Sequence, residues 1–484
     1  MALEPVVMSI PMLARETAIF EVEDNSQLKL PAGFLIRGAI PRDPQGPSAR
    51  LAQQFLKQNR GILRDFAVEG NVDYDGSLVS IRFHTGGQVG ALPLLSPTSG
   101  RPDYGLVIKP RFGWQGVGPM LAAMGWKILP NPLPLPLLPR SDRKIPPWVL
   151  SSTILFRLQK LLDRLERRFE YQEIDLNAPR GHVNWAQYAS VKLPRAGFLN
   201  VPCRFPDLCD DTELKAAIHF TLRKMLSSLQ SQRTAGVVVF QLLRICQGLL
   251  QKVQDVPAIQ PSPKRLNNWL RGNIDTTAFR EGIQAIEWTI DDRGLAGLGD
   301  LRGLPWILPM ETFFEAWVET VASRLARNTG GIVKTGRMRE TITPLGWSPP
   351  YFGSQRYLLP DIILEREQET IIFDAKYKNH WEELSREGWY GLDKELQERH
   401  RSDLLQVLAY STMFASKRVV SCLVYPCRIQ TWHSLLHRQR PFHKASVRAG
   451  SRRVDLVLTA IPMGLNPEEV CPVLERALRA EMPF

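Results

Sequence analysis

The sequence predicts a multidomain α/β protein with a β-rich amino-terminal domain, a helical middle region and a carboxyl-terminal α/β core. The chain has 484 residues, which is too long for one hydrophobic core. Its apolar pattern also changes twice, from short runs broken by Gly, Asp and Pro to helical spacings, and then to alternating strands and helices. We therefore expect domains over residues 1–128, 149–300 and 301–484, with a linker over 129–148.

The linker is predicted from its proline content. Residues 129–147 contain seven prolines, and proline interrupts both helices and central strands. An extended connector fits this composition, and a docking motif for a proline-binding domain is the alternative. Beyond it, apolar residues from Ile154 to Phe169 recur at helical spacing. Asp211 or Thr212 is placed to cap a second helix, and further helices are expected over 235–254 and 264–271.

The chain is strongly basic, with 61 Lys and Arg against 49 Asp and Glu, a formal charge of +12. Positive charge attracts polyanions, and phosphate contacts supply most nonspecific affinity for nucleic acid. Six cysteines are too few for a disulfide framework. The first residues lack the features of a secretory signal, and no run of 18 apolar residues occurs. We expect a cytoplasmic protein that does not contact a membrane, and the charge alone leaves open whether it binds nucleic acid or is merely a basic, soluble protein.

The residues with the clearest chemistry lie in the segment YLLPDIILEREQETIIFDAKYK, residues 357–378. Two apolar runs flank the polar stretch REQE, which predicts a β-hairpin. Strand side chains alternate between the two faces, so Asp374, Lys376 and Lys378 share a face of the second strand. Asp361 belongs to the first strand. Two carboxylates and an amine are therefore expected to converge.

Hydrolysis of a phosphodiester requires such a set of groups. Carboxylate oxygens suit Mg²⁺ or Mn²⁺, and a bound metal polarises the phosphoryl oxygen and activates water. We assign Asp361, Asp374 and the carbonyl of Ala375 as metal ligands and Lys376 as the catalytic amine. The alternative is an edge hairpin with solvated charges.

Two predicted helices flank the hairpin. The helix over 401–415 carries Gln406 and Tyr410 on one face. The helix over 310–327 carries three glutamates spaced four apart, of which we assign Glu315 to the site. Gln406 is expected to support catalysis, whereas Lys378 and Tyr410 are expected to contact DNA. Solvated polar faces are the alternative for both helices.

The densest positive run is HRQRPFHKASVRAGSRR, residues 437–453. We assign its Arg448, Arg452 and Arg453 to the DNA backbone, because clustered arginines are the electrostatic signature of phosphate contact. A solvated basic loop is the alternative.

Taken in order, these motifs resemble the McrC family, the nuclease subunit of the McrBC modification-dependent restriction system. The resemblance rests on Phe-Glu in the upstream helix, then L-x-P-D, F-D-A-K-Y-K, Q-x-x-x-Y and L-V-Y-P. RecB-like nucleases also place a Gln and a Tyr at this spacing. The segment GLVIKPRFGWQGVGPMLAAMGW, residues 105–126, is similar to part of the McrC amino-terminal domain.

The resemblance implies a restriction-endonuclease-like PD-(D/E)XK core in which Asp361, Asp374 and Lys376 are catalytic and Gln406 supports them. It also implies an AAA+ NTPase partner of the McrB type, and this chain contains no G-x-x-x-x-G-K-[ST] motif of its own. The expected function is a metal-dependent DNA endonuclease subunit of an anti-phage restriction system. The alternatives are a non-cleaving adaptor that binds DNA and stimulates a partner NTPase, and a standalone nuclease of repair or transposition.

We expect DNA binding by this chain to weaken steeply as the salt concentration rises, because its net charge favours phosphate contacts. Reversing the charge of Arg448, Arg452 and Arg453 is expected to flatten the dependence of log Kd on log salt concentration, measured by fluorescence anisotropy. An unchanged slope would place the DNA-binding surface elsewhere.

Overall fold

The computed structural model describes residues 18–36, 45–76, 78–133, 135, 146, 148–165, 168–209, 211–271, 277–290, 305–383, 394–449 and 452–479. The chain forms two compact units. Unit 1 contains Met1–Pro146 together with Arg302–Phe484, and unit 2 contains Pro147–Leu301. The segments expected as amino-terminal and carboxyl-terminal domains thus contribute to one unit, and unit 2 is inserted between them.

The strands are, in chain order, β1 Ala18–Glu23, β2 Gln27–Pro31, β3 Val68–Asp75, β4 Leu78–Thr85, β5 Gln88–Leu94, β6 Tyr104–Lys109, β7 Asn131–Pro132, β8 Arg168–Leu176, β9 His182–Val183, β10 Val201–Cys209, β11 Trp306–Pro309, β12 Ile332–Thr335, β13 Thr343–Pro344, β14 Tyr357–Leu358, β15 Ile362–Glu365, β16 Glu369–Ala375, β17 Arg418–Cys427, β18 Phe442–Ala449 and β19 Arg452–Pro462.

The helices are α1 Gln45–Asp65, α2 Trp114–Ala123, α3 Trp148–Leu162, α4 Trp185–Gln187, α5 Thr212–Ser231, α6 Val237–Gln251, α7 Pro263–Arg271, α8 Thr277–Ile290, α9 Met310–Thr329, α10 Lys394–Ser411, α11 Ile429–His437 and α12 Pro467–Leu478. The chain is therefore a mixed α/β protein with several sheets, as the sequence predicts.

The first large sheet of unit 1 joins distant parts of the chain. Its strand order is β1-β6-β5-β11-β7. Strand β11 lies between β5 and β7, with Trp306 opposite both Ala91 and Pro132. The first residues of the predicted linker therefore form an edge strand, whereas most of the linker lies outside the described residues.

Helix α1 was not predicted from the sequence. It buries Ala52, Phe55 and Leu63 in the core that also contains β3 and β4. A polar residue, Asn59, occupies the same buried face and is fully buried. Its amide bonds to the carbonyls of Phe55 and Leu95 and accepts the Leu95 N–H. The buried asparagine interrupts the apolar periodicity by which a helix is recognised.

The second large sheet of unit 1 has the order β12-β15-β16-β17-β19-β18. The predicted hairpin is confirmed as the antiparallel pair β15 and β16, and β16 then runs parallel to β17. Its residues 370–375 are all buried because the strand lies in the interior of the sheet. Helix α10 begins at Lys394, before the predicted residue 401.

Unit 2 combines helices with a three-stranded sheet, β8-β10-β9. The predicted continuation of the first helix to Phe169 is wrong, because α3 ends at Leu162 and Phe169 lies in β8, opposite Leu208 of β10. Asp211 caps α5 as predicted, since its carboxylate accepts the Leu214 N–H at 3.0 Å. The middle region is therefore not entirely helical.

The described cysteines Cys203, Cys246, Cys422, Cys427 and Cys471 are buried and free. Among the described helices, none combines the length and the apolar composition that a membrane span requires.

We expect Gly90→Ala to destabilise unit 1. A Cβ atom at this position of β5 would lie 2.1 Å from the carbonyl oxygen of Trp306, so β5 and β11 would have to separate. Overpacking of this kind costs about 1–3 kcal/mol, which thermal unfolding will detect. Gly46→Ala is the control, because a Cβ there has no neighbour within 4 Å. Equal melting temperatures for the two variants would contradict the proposed close approach.

Candidate active site

Asp361 and Asp374 approach each other at the end of the β15–β16 hairpin. Ile362 of β15 lies opposite Phe373 of β16, so the next position in the register brings Asp361 beside Asp374. The Asp361 carboxylate accepts the backbone N–H of Ala375 at 2.8 Å. The structure therefore brings the two predicted carboxylates together as the alternation of side chains predicts.

Asp374 is fully buried. The Nζ atom of Lys376 lies 2.9 Å from its Oδ2 atom, but neither carboxylate oxygen has a well-aligned hydrogen-bond donor. Buried polar groups are normally hydrogen-bonded, and an exception requires an explanation. A carboxylate in this condition is suited to bind a cation.

The pKa shifts in the site follow from burial and crowding. Burial raises the pKa of Asp374, and Lys376 opposes this only in part. Burial also raises the pKa of Asp361, and the negative charges of Asp374 and Glu315 add to the effect. Burial would lower the pKa of Lys376, but Asp374 and Asp361 outweigh it and raise that pKa. The site therefore holds more negative charge than its lysine balances.

Glu315 of α9 lies in the same site. A cavity of about 190 Å³ is lined by Glu315, Glu319, Gly336, Arg337, Leu359, Asp361 and Ile362. Burial raises the pKa of Glu315, and the neighbouring charges of Glu311 and Asp374 contribute. Glu319 differs from Glu315 in that its carboxylate is paired with two cations: Lys127 and Arg337 bond to it at 2.5 and 2.8 Å.

The predicted metal ligands are compatible with a hard cation. Within the described residues, no three His, Cys, Asp or Glu side chains form a group that could hold a metal ion. The predicted set is instead two carboxylates with the carbonyl of Ala375, and Mg²⁺ commonly retains several waters beside one or two carboxylates. The bare oxygens of Asp374 and the raised pKa of Asp361 fit such a cation. The role of the Ala375 carbonyl stays a prediction.

Gln406 and Tyr410 support the segment before Asp361. Gln406 donates from Nε2 to the Tyr410 hydroxyl at 2.8 Å, and Tyr410 donates to the Leu359 carbonyl at 3.4 Å. Gln406 is exposed, whereas Tyr410 is buried. Lys378 bonds to both carboxylate oxygens of Asp403, at 2.8 and 2.7 Å. The assignment of Tyr410 and Lys378 to DNA contact stays a prediction.

The basic run lies at the other end of the sheet. Arg453 of β19 lies opposite Arg418 of β17, and Arg418 lies opposite Glu369, the first residue of β16. Asp374 is five residues further along β16, roughly 17 Å at 3.3 Å per residue. Arg453 also bonds to Asp455 at 2.7 Å. The side chains of Arg448 and Arg452 lie outside the described part of the chain, and DNA contact by the run stays a prediction.

A family model described as McrBC 5-methylcytosine restriction system component matches residues 136–426. This range covers more than half of the 484 residues and includes the whole β15–β16 hairpin. The chain belongs to the McrBC family.

Two solved structures from Thermococcus gammatolerans align with this McrBC component. One is a half-complex of McrB AAA+ hexamers with bound McrC, which covers 95% of this chain and 100% of that chain at 13% identity and a TM-score of 0.42. The other is the McrBC complex, which covers 64% of this chain and 88% of that chain at 14% identity and a TM-score of 0.27. No curated protein matches the chain.

Asp403 is a residue of the site that the sequence interpretation missed. It lies on α10, where it binds Lys378 and accepts a bond from the Tyr425 hydroxyl at 3.0 Å. His400 lies 3.0 Å from the same hydroxyl, and His380 stacks on His400 with ring centroids 4.2 Å apart. Asp403 could have been found from the sequence, because it lies three residues before Gln406 on the same helix.

Arg111 was also missed, although it lies in the segment that resembles McrC proteins. Its Nη2 atom donates to the carbonyl of Tyr377 at 3.0 Å, and its guanidinium lies 4.3 Å from the Tyr377 ring centroid. Asp24 accepts the Arg111 N–H at 2.7 Å and approaches its Nε at 3.6 Å. The amino-terminal part of this McrBC component therefore fixes the residue that follows Lys376.

We expect Arg111→Ala to reduce the free energy of unfolding by roughly 3–5 kcal/mol, because it leaves the buried carboxylate of Asp24 without its ion-pair partner. Removing both charges in Asp24→Asn/Arg111→Met is expected to cost less than the two single changes together. Urea unfolding measures each effect, and Arg101→Ala, at an exposed position, is the control. Strictly additive losses would contradict the proposed coupling.

Proposed function

We propose that the chain is a metal-dependent DNA endonuclease subunit of a McrBC-type restriction system, with a PD-(D/E)XK core formed by the six-stranded sheet and its helices. The observation that carries the proposal is the fully buried Asp374 carboxylate, paired with Lys376 at 2.9 Å and next to Asp361. A purely structural ion pair would not be expected to have a second carboxylate, Asp361, beside it, because the two like charges disfavour each other.

Asp361 and Asp374, with the carbonyl of Ala375, would hold Mg²⁺ or Mn²⁺. When bound, the metal supplies a Lewis acid for the phosphoryl oxygen and lowers the pKa of water. Ala375 orients the Asp361 carboxylate through its backbone N–H. Glu315 of α9 lines the same cavity as Asp361.

Lys376 is the proposed catalytic amine. Its raised pKa keeps it protonated at neutral pH, so it can stabilise negative charge that develops on the phosphate. Asp403 binds the neighbouring Lys378, which leaves Lys376 as the ammonium group paired with Asp374. Gln406 is proposed as a positioning residue. It bonds to Tyr410, which in turn bonds to the Leu359 carbonyl and so holds the segment before Asp361.

We propose that the chain acts in the cytoplasm with an AAA+ NTPase of the McrB type. Membership in a family of restriction system components supports this assignment. The sequence itself has no phosphate-binding loop motif with which to bind a nucleotide. NTP hydrolysis would therefore be performed by the partner, and DNA cleavage by this chain.

We expect Lys376→Met to reduce DNA cleavage by roughly a hundredfold or more, the loss that is typical when one such electrostatic group is removed. Methionine keeps the length and apolar volume of the side chain, so folding is expected to persist. Cleavage of plasmid DNA in the presence of the NTPase partner measures the effect. Excess EDTA is expected to abolish cutting by the unmodified chain.

Lys417→Ala, at an exposed position before β17, is the matched control and is expected to cut normally. A plasmid-restriction assay distinguishes the nuclease from the non-cleaving adaptor, because only the nuclease requires Lys376 for restriction. If a folded Lys376→Met protein restricts as well as the unmodified one, the nuclease proposal fails.

A further inference from the structure

An exposed loop lies between β13 and β14, shortly before Asp361 in the chain. Strands β13 and β14 form its base, with Pro344 opposite Tyr357 and the Leu345 N–H bonded to the Arg356 carbonyl at 2.8 Å. All residues from 346 to 357 are exposed. We call residues 346–357 the aromatic loop.

The aromatic loop concentrates exposed rings. Trp347, Tyr351, Phe352 and Tyr357 are 45%, 56%, 75% and 38% exposed. They are four of the eight exposed aromatic side chains in the described part of the chain. Aromatic rings bury large apolar areas when they are covered, so a cluster of this density indicates a surface that meets a partner.

The charge of the loop favours a polyanion. The sequence from residue 341 to residue 360 contains no Asp or Glu. Arg356 lies over the Phe352 ring, 5.1 Å from its centroid, and Arg339 is exposed just before β13. Arginine beside exposed aromatic rings is the combination that binds nucleic acid through both phosphates and base faces.

The segment that leads into the loop is held beside Asp361. Thr341 donates its hydroxyl to the Pro360 carbonyl at 2.7 Å, and the Gly336 N–H bonds to the Asp361 carbonyl at 2.7 Å. Phe352 precedes Asp361 by only nine residues, which span at most about 32 Å. Bases within about one turn of the duplex, 34–36 Å, are therefore within reach of the loop when a phosphate lies at Asp361. The basic run at Arg453 lies toward the opposite end of the strands.

We propose that the aromatic loop is a DNA-binding element that places the rings of Tyr351 and Phe352 against unstacked bases near the scissile phosphate, with Arg339 and Arg356 on the backbone. This inference rests on the proposed nuclease function. Apolar side chains inserted between base steps unstack them, and the cost is least where bases are already mispaired. The loop should therefore favour duplexes that contain a mismatch.

The test measures DNA binding in the non-cutting Lys376→Met chain by fluorescence anisotropy, with a 30-bp duplex and the same duplex carrying a two-base mismatch. Tyr351→Ala/Phe352→Ala is expected to weaken binding roughly tenfold or more, because each stacked base contributes substantially to affinity. The preference for the mismatched duplex is expected to disappear. The salt dependence is expected to stay unchanged, because the rings neutralise no phosphate.

Arg339→Ala/Arg356→Ala is expected to behave differently and to reduce the salt slope by about two. The matched control is Phe240→Ala, since Phe240 is 57% exposed but lies on α6 of unit 2. Unchanged binding of both duplexes by the Tyr351→Ala/Phe352→Ala variant overturns the inference. Loss of co-elution with the NTPase partner at unchanged DNA affinity also overturns it and makes the loop a protein-binding surface.

The two proposals fail in different ways. A chain whose DNA binding depends on the loop, but whose unmodified form never cuts DNA, contradicts the nuclease function alone. A chain that cuts DNA normally after Tyr351→Ala/Phe352→Ala, with unchanged affinity, contradicts the role of the loop alone.

Discussion

The central constraint in unit 1 is the fully buried carboxylate of Asp374, which is paired with Lys376. Asp374 lies on an interior strand and is fully buried, and the neighbouring Ala375 N–H bonds to Asp361 rather than to Asp374. Lys376 is the cation that accompanies it. The surrounding segments add carboxylates to this pair rather than neutralise it further, because Asp361 lies just before β15 and Glu315 lies on α9. Such an arrangement is stable only if a proton or a cation relieves the excess negative charge.

The residues after Asp374 complete the site and connect it to two other parts of the chain. Lys376 pairs with Asp374, Lys378 pairs with Asp403 of α10, and Tyr377 between them packs against Arg111 of the amino-terminal segment. The alternation of side chains along an extended segment produces this division. The amino-terminal segment is thus part of the scaffold that holds Lys376, and β11 pairs with both β5 and β7 to complete that scaffold.

The parts of the fold that were predictable are those with local patterns. The β15–β16 hairpin and the Asp211 cap both follow from residues adjacent in sequence. The contacts that sequence reasoning missed are distant or concealed. Arg111 and Tyr377 are separated by 266 positions, and no periodicity relates them. Asn59 concealed α1 by placing a polar group in an apolar face, and the strand character of β8 was mistaken for a longer α3 because its first residues continue a helical spacing.

The insertion of unit 2 affects how the protein folds during synthesis. Pro132 and Trp306 are partners in one sheet, but about 170 residues separate them. At translation rates of 5–20 residues per second, strand β11 emerges roughly 10–35 s after β7. During this interval β5 and β7 lack the strand that joins them, and an unpaired strand edge is a template for aggregation. Unit 2 is complete before β11 is made. A ribosome-associated chaperone would be needed most in this period.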